Sequence, residues 1–300
     1  MPAYDVALPH HGRYAYSAIT DRASFAWPEG RRLAVYVAVN VETFAFGEGL
    51  GASLAPGGPE PDILNHAWRD WGNRVGIWRL LSCLDTLGLP AACLVNSAIY
   101  AEAPAIPAAF RARGDEIVGH GVTNAERQGT LTEAEEAALI ARATETLARH
   151  EGAAPAGWLG PWISESRATP DLLREAGYAY LLDWCHDDQP VRLATRAGPI
   201  LSVPYPQELN DIPAIVGRRI EGPAFAEMIV EAFEEMREQS ADQPLVMGIA
   251  LHPYIVGQPH RLRPLRRALA HIAEAAARDP AIWLTRPGAI AAHYDAAVPA

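Results

Sequence analysis

The sequence predicts an α/β fold, a (β/α) barrel preceded by an N-terminal arm. Three observations predict it. About seven or eight short apolar runs alternate with helical segments, a pattern typical of parallel βα units. The length of 300 residues suits one α/β barrel of ordinary size. Hydrophobic residues make up 49% of the chain, enough to bury a sizeable core, so disordered and fibrous classes are excluded.

Apolar runs predict the strands, and cap or turn residues predict where the helices begin and end. The first strand is the β-branched run Leu33–Val41, and further strands are predicted at 91–95, 116–119, around 158, 178–182, 200–203, 245–251 and 282–285. Helices are predicted at 72–87, 132–150, 223–239, 261–278 and 287–296, with a broken helix ending at Gly114 and a short helix opened by Thr169. The Gly/Pro-rich segment 44–65 is too long for a mere connector, which indicates a lid or binding loop. We divide the chain into an arm or covering loop, 1–30, and one barrel domain, 31–300.

Composition excludes several functional classes. The formal net charge of −11 argues against a nucleic-acid or anionic-membrane surface. The chain contains no lysine, which excludes P-loop enzymes, protein kinases and Schiff-base enzymes that need a lysine amine. No apolar run reaches the roughly 18 residues of a membrane span. Three cysteines are an odd count that suits a reducing compartment, so we expect a cytoplasmic protein without a membrane partner.

Polar residues directly follow three of the predicted strands. Glu42, His120 and His252 stand at these carboxyl ends, where the chemistry of a (β/α) barrel is located. Two imidazoles and a carboxylate can supply a general base and a general acid. The structural alternatives are a loop-start carboxylate for Glu42, a tight turn around His120 and a core histidine at position 252.

Other polar and aromatic residues near the same strand ends are expected to shape a substrate pocket. The tryptophans could stack on a planar ring or simply pack in the core. The predicted substrate-binding residues are Asn124, Trp162, Asp183, Tyr205 and Asn210.

At these residues the sequence resembles the polysaccharide deacetylase (nodulation-deacetylase homology) superfamily. The first motif of that superfamily, an apolar strand ending in acids, corresponds to residues 39–43, and the second to His120 with Asn124. The segments 203–211 and 251–261 resemble its metal-independent allantoinase and cyclic-imidase branch in particular. The resemblance covers nearly the whole chain from about residue 31 and implies the irregular seven-stranded barrel of polysaccharide deacetylases.

The departures from the superfamily concern the metal. In metal-using members, one acid of the first motif and both histidines of the second bind a divalent ion. Thr43 and Asn124 stand here at two of those three places. The resemblance therefore implies no tightly held metal, the alternative being a weakly held zinc ion on Glu42 and His120. The arginine that precedes the proline-aromatic motif of the superfamily is also missing, since the corresponding segment here reads Leu159-Gly160-Pro161-Trp162.

Together these observations predict a hydrolase of non-peptide C–N bonds in an amide, imide or ureide. Glu42 would be the general base, His252 the general acid, and His120 would position or polarise the carbonyl. One alternative is a metal-dependent N-deacetylase of an acetylated sugar or peptidoglycan fragment. The non-enzyme alternative is a degenerate barrel that only binds a small molecule. The resemblance also implies a homo-oligomer, a dimer or tetramer.

Overall fold

The computed structural model describes residues 10–47 and 51–299. Over these residues the strands are β1 Leu33–Val41, β2 Ala91–Val95, β3 Glu116–Gly119, β4 Gly157–Trp158, β5 Tyr180–Leu181, β6 Val191–Leu193, β7 Ile200–Ser202, β8 Leu245–Leu251 and β9 Ile282–Thr285. The helices are α1 Ile63–Trp71, α2 Ile77–Leu87, α3 Ile99–Glu102, α4 Ala105–Arg113, α5 Glu133–Glu151, α6 Thr169–Glu175, α7 Gly222–Gln239, α8 Pro253–Val256, α9 Pro259–Arg278 and α10 Pro287–Ala297.

The strands form one curled sheet in the order β6-β7-β5-β4-β3-β2-β1-β8, and β9 pairs with the first half of β1. All pairs are parallel except β6 with β7. The outer edge of β8 meets loop carbonyls instead of a strand: the carbonyl of Asp188 accepts from the Val246 amide, and that of Leu209 from the Ala250 amide. The predicted parallel α/β barrel is therefore confirmed as a curled half-barrel that loop segments close.

The strands β1, β2, β3, β8 and β9 have the predicted bounds, whereas one predicted helix start was wrong and one strand was missed. The helix predicted to begin at residue 72 already begins at Ile63, where the Asp62 side chain accepts from the Asn65 amide. The helix continues through the π-helical turn Gly72–Gly76. Glycine is needed at position 76 of this turn, since a Cβ there would lie 2.2 Å from the Pro253 carbonyl oxygen. The short antiparallel strand β6 was missed, since three residues carry little periodicity.

The described part of the N-terminal arm packs against the barrel. Its arginines form close ion pairs, Arg13 with Asp171 and Arg22 with Asp187, both at 2.6 Å. Trp27 is buried and donates its indole N–H to the Leu245 carbonyl, at the end of β8 opposite the predicted site. Residues 1–9 lie outside the described part. The division into arm and barrel domain stays a prediction.

The strand β1 is buried along its whole length, and its two faces serve different purposes. Odd-numbered residues such as Val35 and Val37 pack in the cluster beneath the helices, whereas Ala34, Tyr36 and Ala38 pack with the barrel interior. Successive side chains of a strand point to opposite faces, so the same alternation places Asn40 and Glu42 above the interior. Within the described residues, no helix has the length and apolar character needed to cross a membrane.

Candidate active site

The carboxylate of Glu42 lies between the two predicted catalytic histidines. Its Oε1 is 3.6 Å from Nε2 of His120 and 3.6 Å from Nε2 of His252. Its Oε2 accepts a hydrogen bond of 3.0 Å from the hydroxyl of Tyr254. The structure thus brings together all three residues predicted as catalytic, because the carboxyl ends of β1, β3 and β8 meet at one rim.

Asp211 fixes the orientation of the His252 ring. Its Oδ1 lies 2.6 Å from Nδ1 of His252, and its Oδ2 accepts from the His252 amide at 2.7 Å. Because this carboxylate accepts a hydrogen bond from Nδ1, the other ring nitrogen, Nε2, is directed at Glu42. Sequence reasoning selected the neighbouring Asn210 and missed Asp211. An acidic residue beside a predicted site position was the available signal.

His120 is anchored through its other ring nitrogen. Nδ1 donates to the carbonyl of Leu159 at 2.7 Å, since a carbonyl can only accept. Nε2 is buried and has no hydrogen-bond partner among the described residues, although it faces the Glu42 carboxylate. A buried polar atom left without a partner is costly, which indicates that this nitrogen serves a substrate or water.

Burial and charge act in opposite directions on the central groups. Burial raises the pKa of Glu42, but the two histidines outweigh it and lower this pKa to about 2. Burial lowers the pKa of His252, but Asp211 and Glu42 outweigh it and raise this pKa to about 10. These directions favour an anionic Glu42 beside a protonated His252, the states in which a carboxylate can accept a proton and an imidazole can donate one.

Backbone amides and side-chain amides hold the rim around Glu42 in place. Asn96 accepts from the Thr43 amide at 2.9 Å and donates to the carbonyl of His120, so it joins the ends of β1, β2 and β3. Asn73 donates to the Glu42 carbonyl at 2.7 Å. These bonds hold the backbone of Glu42 and Thr43 in place, and with it the point from which the Glu42 side chain extends.

Two of the predicted pocket residues lie on this rim. Asn124 donates its amide to the Thr43 carbonyl at 2.8 Å, and its own carbonyl accepts from the Trp162 indole at 2.7 Å. The side-chain oxygen of Asn124 is buried without a partner among the described residues. Trp162 and Ile163 have φ of 63° and 52°, in the left-handed region that costs non-glycine residues on the order of 1–3 kcal/mol each. Strain of this kind is typical of ligand-binding segments.

The other three predicted pocket residues contact protein groups beside the rim. Asp183 accepts from the Gly160 amide at 2.7 Å, and burial raises its pKa to about 7. Tyr205 bonds with Asn40 inside the barrel, the Asn40 amide lying 3.1 Å from its hydroxyl. Asn210 pairs with Ala250 along the edge of β8. The contacts of these residues fit a role in positioning the site, and their contact with substrate stays a prediction.

The described residues do not fit a tightly held divalent ion. No three His, Cys, Asp or Glu side chains within 10–47 and 51–299 are grouped to hold one. The Thr43 hydroxyl donates to Glu102, a residue of α3, and is not an ionic ligand. Glu42 and His120 are two donors, fewer than the three or four protein ligands of a zinc site. No step proposed below depends on a metal.

Replacing Gly121 tests whether the segment after His120 must pack closely against Pro161. Its φ is +69°, and a Cβ would lie 2.6 Å from Cγ of Pro161. We expect Gly121→Ala to cost ~1–2 kcal/mol for the left-handed backbone and ~1–3 kcal/mol for overpacking. Hydrolysis should also fall, because Pro161 follows the segment whose Leu159 carbonyl anchors His120.

Denaturant unfolding and initial rates measure both effects. Gly114→Ala is the matched control: φ is +73° there, but nothing lies within 4 Å of the added Cβ. Equal losses of stability and rate in the two variants would contradict the importance of close packing at Gly121.

Comparisons with known proteins agree with this geometry. No family model matches the chain. A Schizosaccharomyces pombe (strain 972 / ATCC 24843) protein named "Putative polysaccharide deacetylase" is 23% identical over 305 residues, covering 91% of this chain and 93% of its own length. The crystal structure of Puue allantoinase has a TM-score of 0.80 at 25% identity, covering 99% of this chain and 97% of its own. A "probable Polysaccharide deacetylase" from Pseudomonas aeruginosa PAO1 has a TM-score of 0.76 at 25% identity, covering 89% and 92%.

These relatives match over nearly their whole lengths, so the similarity concerns the entire barrel and not a shared fragment. The resemblance that the motifs around Glu42, His120 and His252 indicated is thereby confirmed: over nearly its whole length the chain is similar to proteins named as polysaccharide deacetylases and to an allantoinase structure.

Proposed function

We propose that this protein is a hydrolase of non-peptide C–N bonds whose substrate is a cyclic or linear amide, imide or ureide. The observation that carries the proposal is the Glu42 carboxylate held 3.6 Å from each of two imidazoles, one of which bonds through Nδ1 to the Asp211 carboxylate. A base and an acid of separated pKa on one rim are what hydrolysis of a stable C–N bond requires.

In the proposed reaction, Glu42 removes a proton from a water molecule as the water oxygen bonds to the substrate carbonyl carbon. His252 then donates its Nε2 proton to the leaving nitrogen as the C–N bond breaks. The proton on Glu42 then passes to His252, which restores the resting pair. His120, whose Nε2 faces Glu42 without a hydrogen-bond partner among the described residues, accepts a hydrogen from the attacking water and so orients it, or orients the carbonyl when that nitrogen carries a hydrogen.

The comparisons support a cyclic imide or ureide as the substrate. The allantoinase structure covers 99% of this chain, more than the polysaccharide deacetylase structure reported above at the same identity. Thr43 and Asn124 replace the acid and the histidine that metal-using members of the superfamily employ. Both features favour this substrate class over an acetylated sugar.

A panel of cyclic imides, cyclic ureides and acetylated sugars tests the proposal. Each compound is assayed for release of acid, ammonia or acetate, and separately for a shift of the melting temperature. We expect turnover of an imide or ureide in the presence of a chelator. Release of acetate alone, abolished by the chelator, would favour a metal-dependent deacetylase. Thermal stabilisation without any turnover would favour a protein that only binds a small molecule.

We also propose that the wild-type protein holds no tightly bound zinc. Combining Thr43→Asp with Asn124→His should create a divalent site, because His120 then has a carboxylate and a second imidazole beside it. Elemental analysis and zinc titration of the purified proteins measure the difference. Stoichiometric zinc in the wild-type protein, lost on replacing His120, would contradict this and favour the deacetylase alternative.

A further inference from the structure

Arg69 on α1 is a buried arginine without an acidic partner in the described residues. It is 8% exposed, and its guanidinium lies over the Phe44 ring, 4.6 Å from the centroid. One terminal nitrogen donates to the Ala52 carbonyl at 2.9 Å, while Nε has no hydrogen-bond partner among residues 10–47 and 51–299. Leaving a buried cation with so few partners is costly, so the arrangement calls for a further acceptor.

Other partly buried arginines of the chain have such acceptors. Arg13, Arg22 and Arg113 have side chains 14–20% exposed, and each forms an ion pair with at least one aspartate. Arg69 is more deeply buried, yet it has no carboxylate within 4 Å in the part of the chain that the structure describes. Within the described residues, the Ala52 carbonyl and the Phe44 ring are thus the contacts that hold the guanidinium.

The environment of Arg69 adjoins the proposed catalytic centre. Phe44, beneath its guanidinium, comes two residues after Glu42, and its ring centroid is 6.2 Å from that of Tyr254. Trp68, the neighbour of Arg69 on α1, packs edge-to-face on the same tyrosine at 4.8 Å. Since the Tyr254 hydroxyl donates to Glu42, one aromatic wall joins the arginine to the base.

Electrostatics agree with this placement. Burial lowers the pKa of Arg69, and Asp62, Tyr254 and Glu42 oppose that effect. The positive charge of the guanidinium therefore interacts with Glu42 and Tyr254 at the rim. The nearest partners of the Glu42 carboxylate are the Tyr254 hydroxyl, which donates to it, and the two imidazoles at 3.6 Å; Arg69 does not pair with it.

We propose that Arg69 and Phe44 form a subsite for a carboxylate on the substrate of the Glu42 site, a proposal that rests on the hydrolase function above. The guanidinium presents paired N–H donors that match the two oxygens of a carboxylate. Phe44 holds the guanidinium plane from one side. The substrate class is then an imide or ureide that carries a carboxylate, and a neutral acetylated sugar gains nothing from this subsite.

A purely structural role is the competing explanation. The bond to Ala52 ties α1 to the loop, and a Cβ on Gly51 would lie 2.0 Å from a terminal nitrogen of Arg69. This contact uses one of five guanidinium donors and leaves the others without an assignment. If it is the whole role, replacing Arg69 should weaken binding of charged and neutral ligands alike.

Calorimetric binding of hydantoin and hydantoin-5-acetate separates the two explanations. These compounds share one ring and differ by a carboxymethyl group. Both are titrated into the full-length Glu42→Gln protein, in which we expect turnover to be too slow to disturb the titration. We expect hydantoin-5-acetate to bind ~10–100-fold more tightly than hydantoin, the range of a hydrogen bond to a charged group. Adding Arg69→Met should remove this difference and leave the affinity for hydantoin within ~3-fold.

Two further variants keep the test decisive. Arg79→Met is the matched control, because Arg79 also lies over an aromatic ring, that of Trp71 at 5.6 Å, but is exposed. It should leave both affinities unchanged. Arg69→Lys keeps the positive charge but loses the paired N–H donors of the guanidinium, so it should retain a smaller preference for hydantoin-5-acetate. The same variant serves as the test if Arg69→Met does not fold.

The proposal is overturned if the carboxylate gives no gain in the parent protein, or if Arg69 variants weaken both compounds equally. These outcomes concern binding alone. Failure of the hydrolase function would instead appear as absence of turnover in the wild-type panel, so the two failures are distinguishable.

Discussion

Glu42→Gln should lower hydrolysis of a cyclic imide or ureide by ~10²–10⁴-fold, the usual contribution of general acid–base catalysis. Glutamine keeps the size of the side chain and can still accept from the Tyr254 hydroxyl, but its amide cannot take a proton from water. The loss should appear in kcat, because the proton is transferred only as the reaction proceeds. Steady-state rates measure it, and circular dichroism verifies the fold.

Glu116→Gln is the matched control for burying a neutral amide in place of a carboxyl group. Glu116 is half-buried at the start of β3, at the opposite end of the barrel, where the Tyr180 hydroxyl and the Gly288 amide donate to it. This variant should retain near wild-type turnover. Unchanged turnover in Glu42→Gln would end the assignment of Glu42 as the base.

The three central residues could be predicted from the sequence for a simple physical reason. Parallel strands bring their carboxyl ends to one rim, so polar residues after β1, β3 and β8 must meet there once the alternation of strands and helices is recognised. Period-two alternation along the buried β1 further places Glu42 above the barrel interior. No knowledge of loop structure is needed for either step.

Asp211 and Tyr254 could not be predicted in the same way. Asp211 reaches His252 only because the segment after β7 returns to the edge of β8, where the Leu209 carbonyl accepts from Ala250. Tyr254 reaches Glu42 because α8 begins directly after His252 and packs on the π-helical turn. Both contacts depend on tertiary paths of loops, which leave no periodic signal.

The early start of α1 left a signal in the sequence. Its first residues belong to the Gly/Pro-rich segment 44–65, whose composition indicates a loop. The apolar residues of α1 nevertheless recur at the spacing of one helix face: Ile63, Leu64, Ala67, Trp68 and Trp71. That face is exposed or half-buried, whereas the buried residues of the helix are Asn65 and Arg69.

His252→Asn should also lower turnover by ~10²–10⁴-fold, since it removes the proposed proton donor to the leaving nitrogen. The pH profile gives a sharper result. A general acid works while protonated, so activity is present below its pKa and is lost as pH rises through it. With the pKa of His252 raised to about 10, the wild-type rate should persist well above pH 7 and fall near pH 10. In His252→Asn the residual rate should lack that fall.

Asp211→Asn provides the matched test of why His252 stays protonated. Asparagine can still accept the Nδ1 hydrogen but lacks the charge, and Asp211 is the strongest of the groups that raise the pKa of His252. The alkaline fall should therefore move toward neutral pH, while turnover at acidic pH, where His252 is protonated in either protein, changes less. If the fall stays near pH 10 in Asp211→Asn, another group is the acid, and the pairing of His252 with Asp211 serves only the packing of the rim.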